Sequence, residues 1–218
     1  MKLSKKLLLF SLLIFVFISC TKKDDGEDNP SVTEINAADF PISGVLKSVD
    51  MDGDDLILVA WTKGKGKLHC SYSVSEDWSV GTVDANGNFS ITLPGKIETS
   101  KLVQYLPLGG GTITANPPMF WTNLMHPLFV FYPDNDPSSA GEFVSPNLIG
   151  TGSVLYPEKN YGYIFSGSDA TVVGTSANGY VHYNSTYKKG WNIEVYFDNN
   201  NVSDYSNVAS LPNGVEWY

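Results

Sequence analysis

Hydrophobic and polar residues alternate in several short stretches of the chain, and this period of two predicts β-strands. The clearest stretch is residues 88–93 (Asn-Phe-Ser-Ile-Thr-Leu), where every second residue is apolar. Asn86-Gly87 lies just before it and can adopt the positive φ angles of a tight hairpin turn. We therefore expect residues 78–83 to form the partner strand of a β-hairpin.

Comparable stretches occur on both sides of this hairpin. Residues 56–61 are apolar on both faces, as a central strand would be, and residues 40–49 alternate less regularly. Three more strands are predicted towards the C-terminus, with glycine-containing turns between them, at residues 170–175, 180–186 and 191–197.

Helical signals are weak along the whole chain. Ser31 and Glu34 have the spacing of a capping box, which predicts at most two helical turns within residues 31–38. Many short strands separated by Gly- and Asn-containing turns predict an all-β fold, and specifically an antiparallel β-sandwich.

The predicted sandwich domain covers residues 39–218, but its middle is irregular. Residues 107–156 contain a triple glycine, several prolines and an aromatic-rich stretch at 119–132. Two arrangements stay open: one sandwich in which this middle segment crosses over, or two β units at about 39–107 and 150–218.

The N-terminal residues have the pattern of an export signal. A basic start is followed by an apolar run that ends at Ser19, immediately before Cys20. About a dozen apolar residues are too few for a membrane-spanning helix, which needs about 20, and a signal peptide over residues 1–19 is the better interpretation. Residues 20–38 are polar and acidic, so we expect a flexible tether there.

Ile18-Ser19-Cys20 resembles the lipobox of bacterial lipoproteins, although Phe17 stands where that family usually has an aliphatic residue. The resemblance implies that Cys20 becomes a lipid-bearing N-terminus, and attached acyl chains would anchor the protein stably. The alternative is an ordinary secretory signal in which Cys20 is incidental.

Lysines followed by acidic residues at 22–28 are similar to the surface-export signal of lipoproteins in the Bacteroidota. That resemblance implies an outer-membrane lipoprotein exposed on the cell surface. A plain solvated linker is the alternative interpretation of the same charges.

Two further stretches resemble known families. Residues 81–91 (Gly-Thr-Val-Asp-Ala-Asn-Gly-Asn-Phe-Ser-Ile) are similar to a hairpin of transthyretin-like and carboxypeptidase-regulatory-like sandwiches. Residues 188–192 (Lys-Lys-Gly-Trp-Asn) are similar to a C-terminal repeat of uncharacterised Bacteroidota surface lipoproteins. Together they imply an immunoglobulin- or transthyretin-like sandwich and no particular reaction.

The charge composition excludes one class of partner. The chain has no arginine and a formal net charge of −9, which becomes −12 when the three lysines of residues 1–19 are removed with the signal peptide. Nucleic-acid-binding proteins rely on clustered Lys and Arg to neutralise phosphates, so we expect no nucleic-acid partner.

No stretch has the spacing of a catalytic motif. His69 and Cys70 are adjacent, but successive residues of a strand point to opposite faces, with Cys70 expected in the core. His182 lies mid-strand among polar residues, and His126 precedes a proline. We expect a non-enzymatic protein without a cofactor, the alternative being a hydrolase acting on glycans or peptides.

Three stretches are candidates for ligand or ion binding. Trp121 and Tyr132 are the predicted ligand-binding aromatics of the irregular middle, although filling the core is an alternative role for each. Asp50, Asp52 and Asp54 are weak calcium candidates, since calcium favours oxygen-rich loops, but Asp-Gly between strands is first a hairpin turn. Residues 63–67 (Lys-Gly-Lys-Gly-Lys) lack the P-loop pattern, and their charge suits anionic sugars or lipid headgroups.

These features together predict a lipid-anchored, exported protein that acts as a non-catalytic binding or structural module. Its expected partners are the membrane, through the N-terminal lipid, and a glycan or peptide ligand.

Overall fold

A computed structural model describes residues 34–73, 76–104, 114–116, 120–122, 128–136, 141–149, 153–154, 157–199 and 202–218. Within these ranges the secondary structure is one short 3-10 turn, Thr99–Lys101, and 20 β-strands. In chain order the strands are β1 (Glu34–Asn36), β2 (Phe40–Val45), β3 (Lys47–Asp52), β4 (Asp55–Ala60), β5 (Gly66–Ser73), β6 (Glu76–Val83), β7 (Asn88–Leu93), β8 (Lys96–Glu98), β9 (Leu102–Gln104), β10 (Thr114–Asn116), β11 (Phe120–Thr122), β12 (Leu128–Pro133), β13 (Glu142–Val144), β14 (Pro146–Leu148), β15 (Lys159–Ser166), β16 (Ala170–Thr175), β17 (Val181–Tyr187), β18 (Gly190–Asn199), β19 (Val202–Val208) and β20 (Val215–Trp217).

Two large sheets dominate the architecture. A six-stranded sheet has the order β13-β12-β5-β6-β7-β2, and an eight-stranded sheet has the order β10-β16-β17-β19-β18-β15-β14-β20. Neighbouring strands in both are antiparallel, apart from the parallel pair β17 and β19. The predicted all-β fold with packed antiparallel sheets is confirmed.

The main core lies between the inner faces of these two sheets. Alternation along each strand sends one set of residues inward, as in β15, where Tyr163 and Phe165 enter the core while Ile164 points to the other side. The indole nitrogen of Trp191 in β18 donates to the carbonyl oxygen of Pro94 at 2.9 Å, which ties the two halves of the chain together. The described residues between 34 and 218 belong to one compact unit, and the stretches at about 39–107 and 150–218 both contribute residues to this core.

The C-terminal strand closes one end of the core. Trp217 of β20 is 3% exposed and packs edge-on against Phe89 and Phe129, with ring centroids 4.9 and 5.4 Å away. The residue also pairs with Pro146 of β14 and forms a parallel bridge with Leu46. The last residues therefore join strands from both sheets.

The hairpin of β6 and β7 forms as the sequence predicts. Val83 lies opposite Phe89, and Gly87 takes a φ of +83° in the turn between the strands. Gly81 of β6 has a different role, because a Cβ there would lie 2.3 Å from the carbonyl oxygen of Ser90. A side chain at that position would prevent the close approach of β7.

Two predicted elements are wrong. Residues 56–61 are not a central strand: among the described strands, β4 pairs with β3 alone in a two-stranded ribbon, where Ile57 is exposed. The prediction of a central strand was wrong because apolar residues on both faces are also compatible with a partly covered two-stranded ribbon. Within residues 31–38, Glu34–Asn36 is strand β1, paired with β8, rather than helix.

Membrane-spanning segments were also sought in the structure. None of the described residues belong to a helix that is long and apolar enough to cross a bilayer.

Candidate functional site

The six-stranded sheet presents one face to the core and the opposite face to solvent, and we call the latter the outer face. Residues directly opposite each other on neighbouring antiparallel strands point to the same side. The strand register therefore arranges the outer-face side chains in rows that run across the sheet, perpendicular to the strands.

One row is largely apolar, and we call it the apolar row. His69 of β5 lies opposite Val130 of β12 on one side and Val80 of β6 on the other, and Val130 in turn lies opposite Phe143 of β13. Phe143 is 68% exposed and Val80 is 52% exposed. Val130, which lies between them, is 9% exposed, so the exposed apolar surface of this row is divided between Phe143 and Val80.

The neighbouring row, which we call the polar row, lies two residues further along each strand. It consists of Tyr132, Lys67, Thr82, Ser90 and Ser43. The Tyr132 ring is partly exposed and lies edge-on to the His69 ring, with centroids 4.8 Å apart. From β12 to β2 the row therefore presents one aromatic ring, one ammonium group and three hydroxyl groups in a line across the sheet.

A groove of about 520 Å³ begins at the polar row and extends to the end of the sheet. Its far wall is made by residues just outside the strands or at their ends, which we call the charged end: Asp134, Lys65, Asp84 and Asn88. The backbone amide of Asp134 donates to the carbonyl oxygen of Lys65 at 2.9 Å, which holds the loop after β12 beside the start of β5.

Asp84 has a structural role within the charged end. Its carboxylate accepts hydrogen bonds from the backbone amides of Asn86 and Asn88, at 2.8 and 3.0 Å, and from the Asn88 side chain at 2.8 Å. These bonds, the one from the Asn88 side chain above all, hold the pKa of Asp84 below its ordinary value, and the nearby charge of Lys65 acts in the same direction. Asp84 thus stays ionised and fixes the turn.

The groove wall depends on a close approach between β5 and β12. A Cβ on Gly66 would lie 2.2 Å from the carbonyl oxygen of Tyr132 and 2.4 Å from the Phe131 ring. Glycine at this position lets the two strands meet, which brings Lys65 and Lys67 beside Tyr132.

A second unusual group is a carboxyl buried in the eight-stranded sheet. Glu194 of β18 is 3% exposed, and it lies on the opposite side of its strand from the core residues Ile193 and Val195. The Tyr187 hydroxyl donates a hydrogen bond to it. Burial raises the pKa of Glu194 to about 7, against the opposing effect of that hydrogen bond.

An aromatic ladder flanks this carboxyl. Tyr205 of β19 stacks on Tyr183 at 5.1 Å between centroids and contacts Tyr196 at 5.0 Å. Ser185 is buried nearby on β17, and its hydroxyl has no hydrogen-bond partner among the described residues. Because the rings cover one another and the carboxyl is buried, this cluster is part of the packing of the sheet.

The two predicted ligand-binding aromatics lie in different parts of the fold. Tyr132 lies in the polar row of the outer face. Trp121 belongs to β11, opposite Val103, in a two-stranded sheet with β9, and its side chain lies outside the described part of the structure. Cys20, the predicted lipid site, and His126 also lie outside the described residues.

The calcium candidates Asp50, Asp52 and Asp54 lie at the tip of the β3–β4 ribbon. Asp52 lies opposite Asp55 across a tight turn in which Gly53 takes a φ of +65°. In the described ranges, no three or more Asp, Glu, His or Cys side chains are grouped as metal ligands. The geometry is therefore that of the hairpin turn, which was the alternative interpretation of the sequence.

The remaining histidine and cysteine residues lie as the strand pattern predicts. Cys70 is fully buried beside Leu68, whereas His69 lies on the outer face. The Nδ1 atom of the exposed His182 lies 3.2 Å from a carboxylate oxygen of Asp204. These positions separate His69 from the thiol and give His182 a polar partner.

Sequence analysis missed Phe143, Val80 and Glu194 as notable residues. Phe143 and Val80 belong to strands separated by many residues, and only the register brings them into one row. The position of Glu194 between Ile193 and Val195, in a strand that is buried on both faces, is a signal that could have indicated a buried carboxyl.

Comparison of the chain with models of known protein families, with curated proteins and with solved structures finds no match.

Proposed function

We propose that this chain is a lipid-anchored, exported surface protein whose sandwich domain binds a glycan on its outer face without chemical conversion. The observation that supports the ligand class is the contact between aromatic and polar groups on that face. Tyr132 and Phe143 offer apolar ring surface, and the adjoining groove offers hydroxyl, amide and charged groups.

The two kinds of surface on a sugar ring match the apolar and polar groups of the outer face. One side of a sugar ring presents C–H groups that pack on an aromatic ring, and its rim presents hydroxyl groups that donate and accept hydrogen bonds. A site with an apolar platform and a few convergent polar groups is the usual form of a small-ligand pocket. The outer face has both parts, side by side.

A peptide ligand is less well supported. Extended peptides commonly add a strand to the free edge of a sheet. Among the described strands, one edge of the six-stranded sheet is β13, which has three residues, and the other is β2, which includes Pro41. Short edge strands and prolines, which have no N–H donor, discourage such pairing.

The binding proposal is tested with residues 20–218 in affinity gel electrophoresis against a panel of soluble plant, bacterial and animal polysaccharides. We expect retardation by at least one polysaccharide, and loss of that retardation in Tyr132→Ala. The matched control is Tyr180→Ala, since Tyr180 is also a tyrosine, is 58% exposed and lies before β17 in the other sheet. Equal retardation of Tyr132→Ala and wild type would contradict the proposed site.

The anchoring proposal is tested separately in cells. We expect metabolic palmitate labelling of the wild-type protein and its recovery in the outer-membrane fraction, because attached acyl chains hold a protein on a bilayer. Cys20→Ala should lose both, while Thr21→Ala should keep both. Normal labelling and retention of Cys20→Ala would disprove lipidation at this residue.

A further inference from the structure

Three lysines at the start of β5 differ in their partners. The Lys63 ammonium forms an ion pair with the Glu142 carboxylate. Lys65 and Lys67 are exposed, and neither forms an ion pair within 4.0 Å with any described residue. Two unpaired amino groups therefore line the groove on the outer face.

The groove also holds two carboxylates, Asp84 and Asp134, so the formal charges of its lining residues sum to zero. Asp84 is occupied by the three hydrogen bonds of its own turn. Asp134 is the other carboxylate among the groove-lining residues, and its side chain is exposed. The groups left to meet a ligand are thus two ammonium groups and one carboxylate.

The two lysines lie close together in an otherwise acidic protein. The chain has a net charge of −9 and contains no arginine. Lys67 lies directly opposite Tyr132, so an anion bound there would be next to the aromatic ring. Lysine binds anions as a flexible point charge, which suits carboxylate and sulfate groups equally.

Building on the proposed function, we propose that the glycan is acidic, and that Lys65 and Lys67 bind its carboxylate or sulfate groups while a sugar ring packs on Tyr132. Lys63 is excluded from this role by its ion pair with Glu142. The inference concerns the charge of the ligand, whereas the proposed function concerns its class and its place on the protein.

The test compares polysaccharides that share a backbone and differ mainly in charge. Dissociation constants of residues 20–218 are measured by calorimetry for polygalacturonate and for its fully methyl-esterified form, and for dextran sulfate and dextran. We expect binding to at least one anionic polymer, at least tenfold weaker binding to its neutral counterpart, and weaker binding at higher salt. Equal affinity for the charged and neutral members of both pairs would overturn the inference.

Matched variants locate the charge effect on the protein. Lys65→Gln/Lys67→Gln should weaken anionic polymer binding by about tenfold, because exposed ion pairs contribute about 0.2–1 kcal/mol each. Lys188→Gln/Lys189→Gln removes the same charge from an exposed turn before β18 and should change the affinity less than twofold. Equal losses in both double variants would indicate a general charge effect and would contradict the site.

Two outcomes separate this inference from the proposed function. If neutral polysaccharides bind as tightly as acidic ones and Tyr132→Ala abolishes both, the glycan site stands and its acidic preference is wrong. If the lysine pair is needed for binding to phosphatidylglycerol vesicles and no polysaccharide binds, the anion belongs to a lipid headgroup and both proposals fail.

Discussion

The ring of Trp217 stacks on the ring of Tyr163, with centroids 6.2 Å apart and planes at 21°. Trp217 is the penultimate residue of the chain, and Tyr163 lies in the middle of β15. The contact means that the core is completed only when the last strand is in place. The outer face depends on this core, since the same sheet that presents it packs against Trp217 through Phe89 and Phe129.

We therefore expect Trp217→Ala to be strongly destabilising. Removing a buried tryptophan leaves a large cavity, and the free energy of unfolding should fall by about 3–5 kcal/mol. Phe143→Ala is the control, because Phe143 is 68% exposed and its loss should change stability by less than about 0.5 kcal/mol. Urea unfolding followed by tryptophan fluorescence and circular dichroism measures both, and similar effects of the two variants would contradict the described core.

The hairpin turn before β7 should tolerate no side chain. Gly87→Ala places a Cβ at a φ of +83°, 2.6 Å from the Cβ of Trp61 and 2.7 Å from the carbonyl oxygen of Leu46. Gly179→Ala is the matched control, since Gly179 has a φ of +75° and nothing within 4 Å of the added Cβ. We expect Gly179→Ala to cost about 1–2 kcal/mol from backbone strain alone, and Gly87→Ala to cost clearly more.

Thermal unfolding followed by calorimetry distinguishes the losses of stability in Gly87→Ala and Gly179→Ala. Equal shifts in the melting temperature would mean that the contact of Gly87 with Trp61 and Leu46 is not tight.

The buried Glu194 should make stability depend on pH. Its pKa is about 7 in the folded protein and should return to an ordinary value near 4.5 on unfolding, so the folded state binds more protons between these values. The contribution of Glu194 to the free energy of unfolding should then be highest below about pH 4.5, fall as the pH rises to about 7, and stay level above that. The total loss attributable to this group is roughly 3 kcal/mol, at 1.36 kcal/mol for each pH interval of one.

Glu194→Gln tests this assignment, because an amide oxygen still accepts the Tyr187 hydrogen bond but does not titrate. Urea unfolding of this variant should lose the decline between pH 4.5 and 7. The exposed Glu98→Gln should keep the wild-type profile, and a wild-type profile in Glu194→Gln would show that another group is responsible.

Calcium should not stabilise the sandwich through Asp50, Asp52 and Asp54. A ligand that binds only the folded state raises the melting temperature, and the tip of the β3–β4 ribbon is a two-residue hairpin turn whose carboxylates form no grouped set. Calorimetric scans with millimolar calcium and with chelator should therefore coincide. A rise with calcium that disappears in Asp52→Asn would restore these residues as a metal site.

Local pattern was sufficient for some elements of the fold. Strands β7 and β16 have the bounds that the sequence predicts. In β7 the inward and outward residues differ clearly in polarity, whereas Val173 of β16 is apolar and exposed. The pattern failed at β4, where apolar residues on both faces do not indicate how many strands flank it.

The candidate site was harder to predict, although Tyr132 and the lysines of residues 63–67 were each noticeable in the sequence. Tyr132 and Lys67 lie opposite each other only because β12, from the irregular middle of the chain, pairs with β5. Register between strands so distant in sequence is set by the whole core, and no local pattern specifies it.

The central claim is that the outer face of the six-stranded sheet is the ligand-binding surface. An NMR titration of isotope-labelled residues 20–218 with oligosaccharides from a polysaccharide that retards the protein tests it most directly, since each backbone amide reports whether a ligand is near. The account predicts saturable shifts concentrated at His69, Lys67, Thr82, Ser90 and Tyr132, with residues of β16 and β17 unchanged. Shifts confined to the eight-stranded sheet, or none at millimolar ligand, would contradict it.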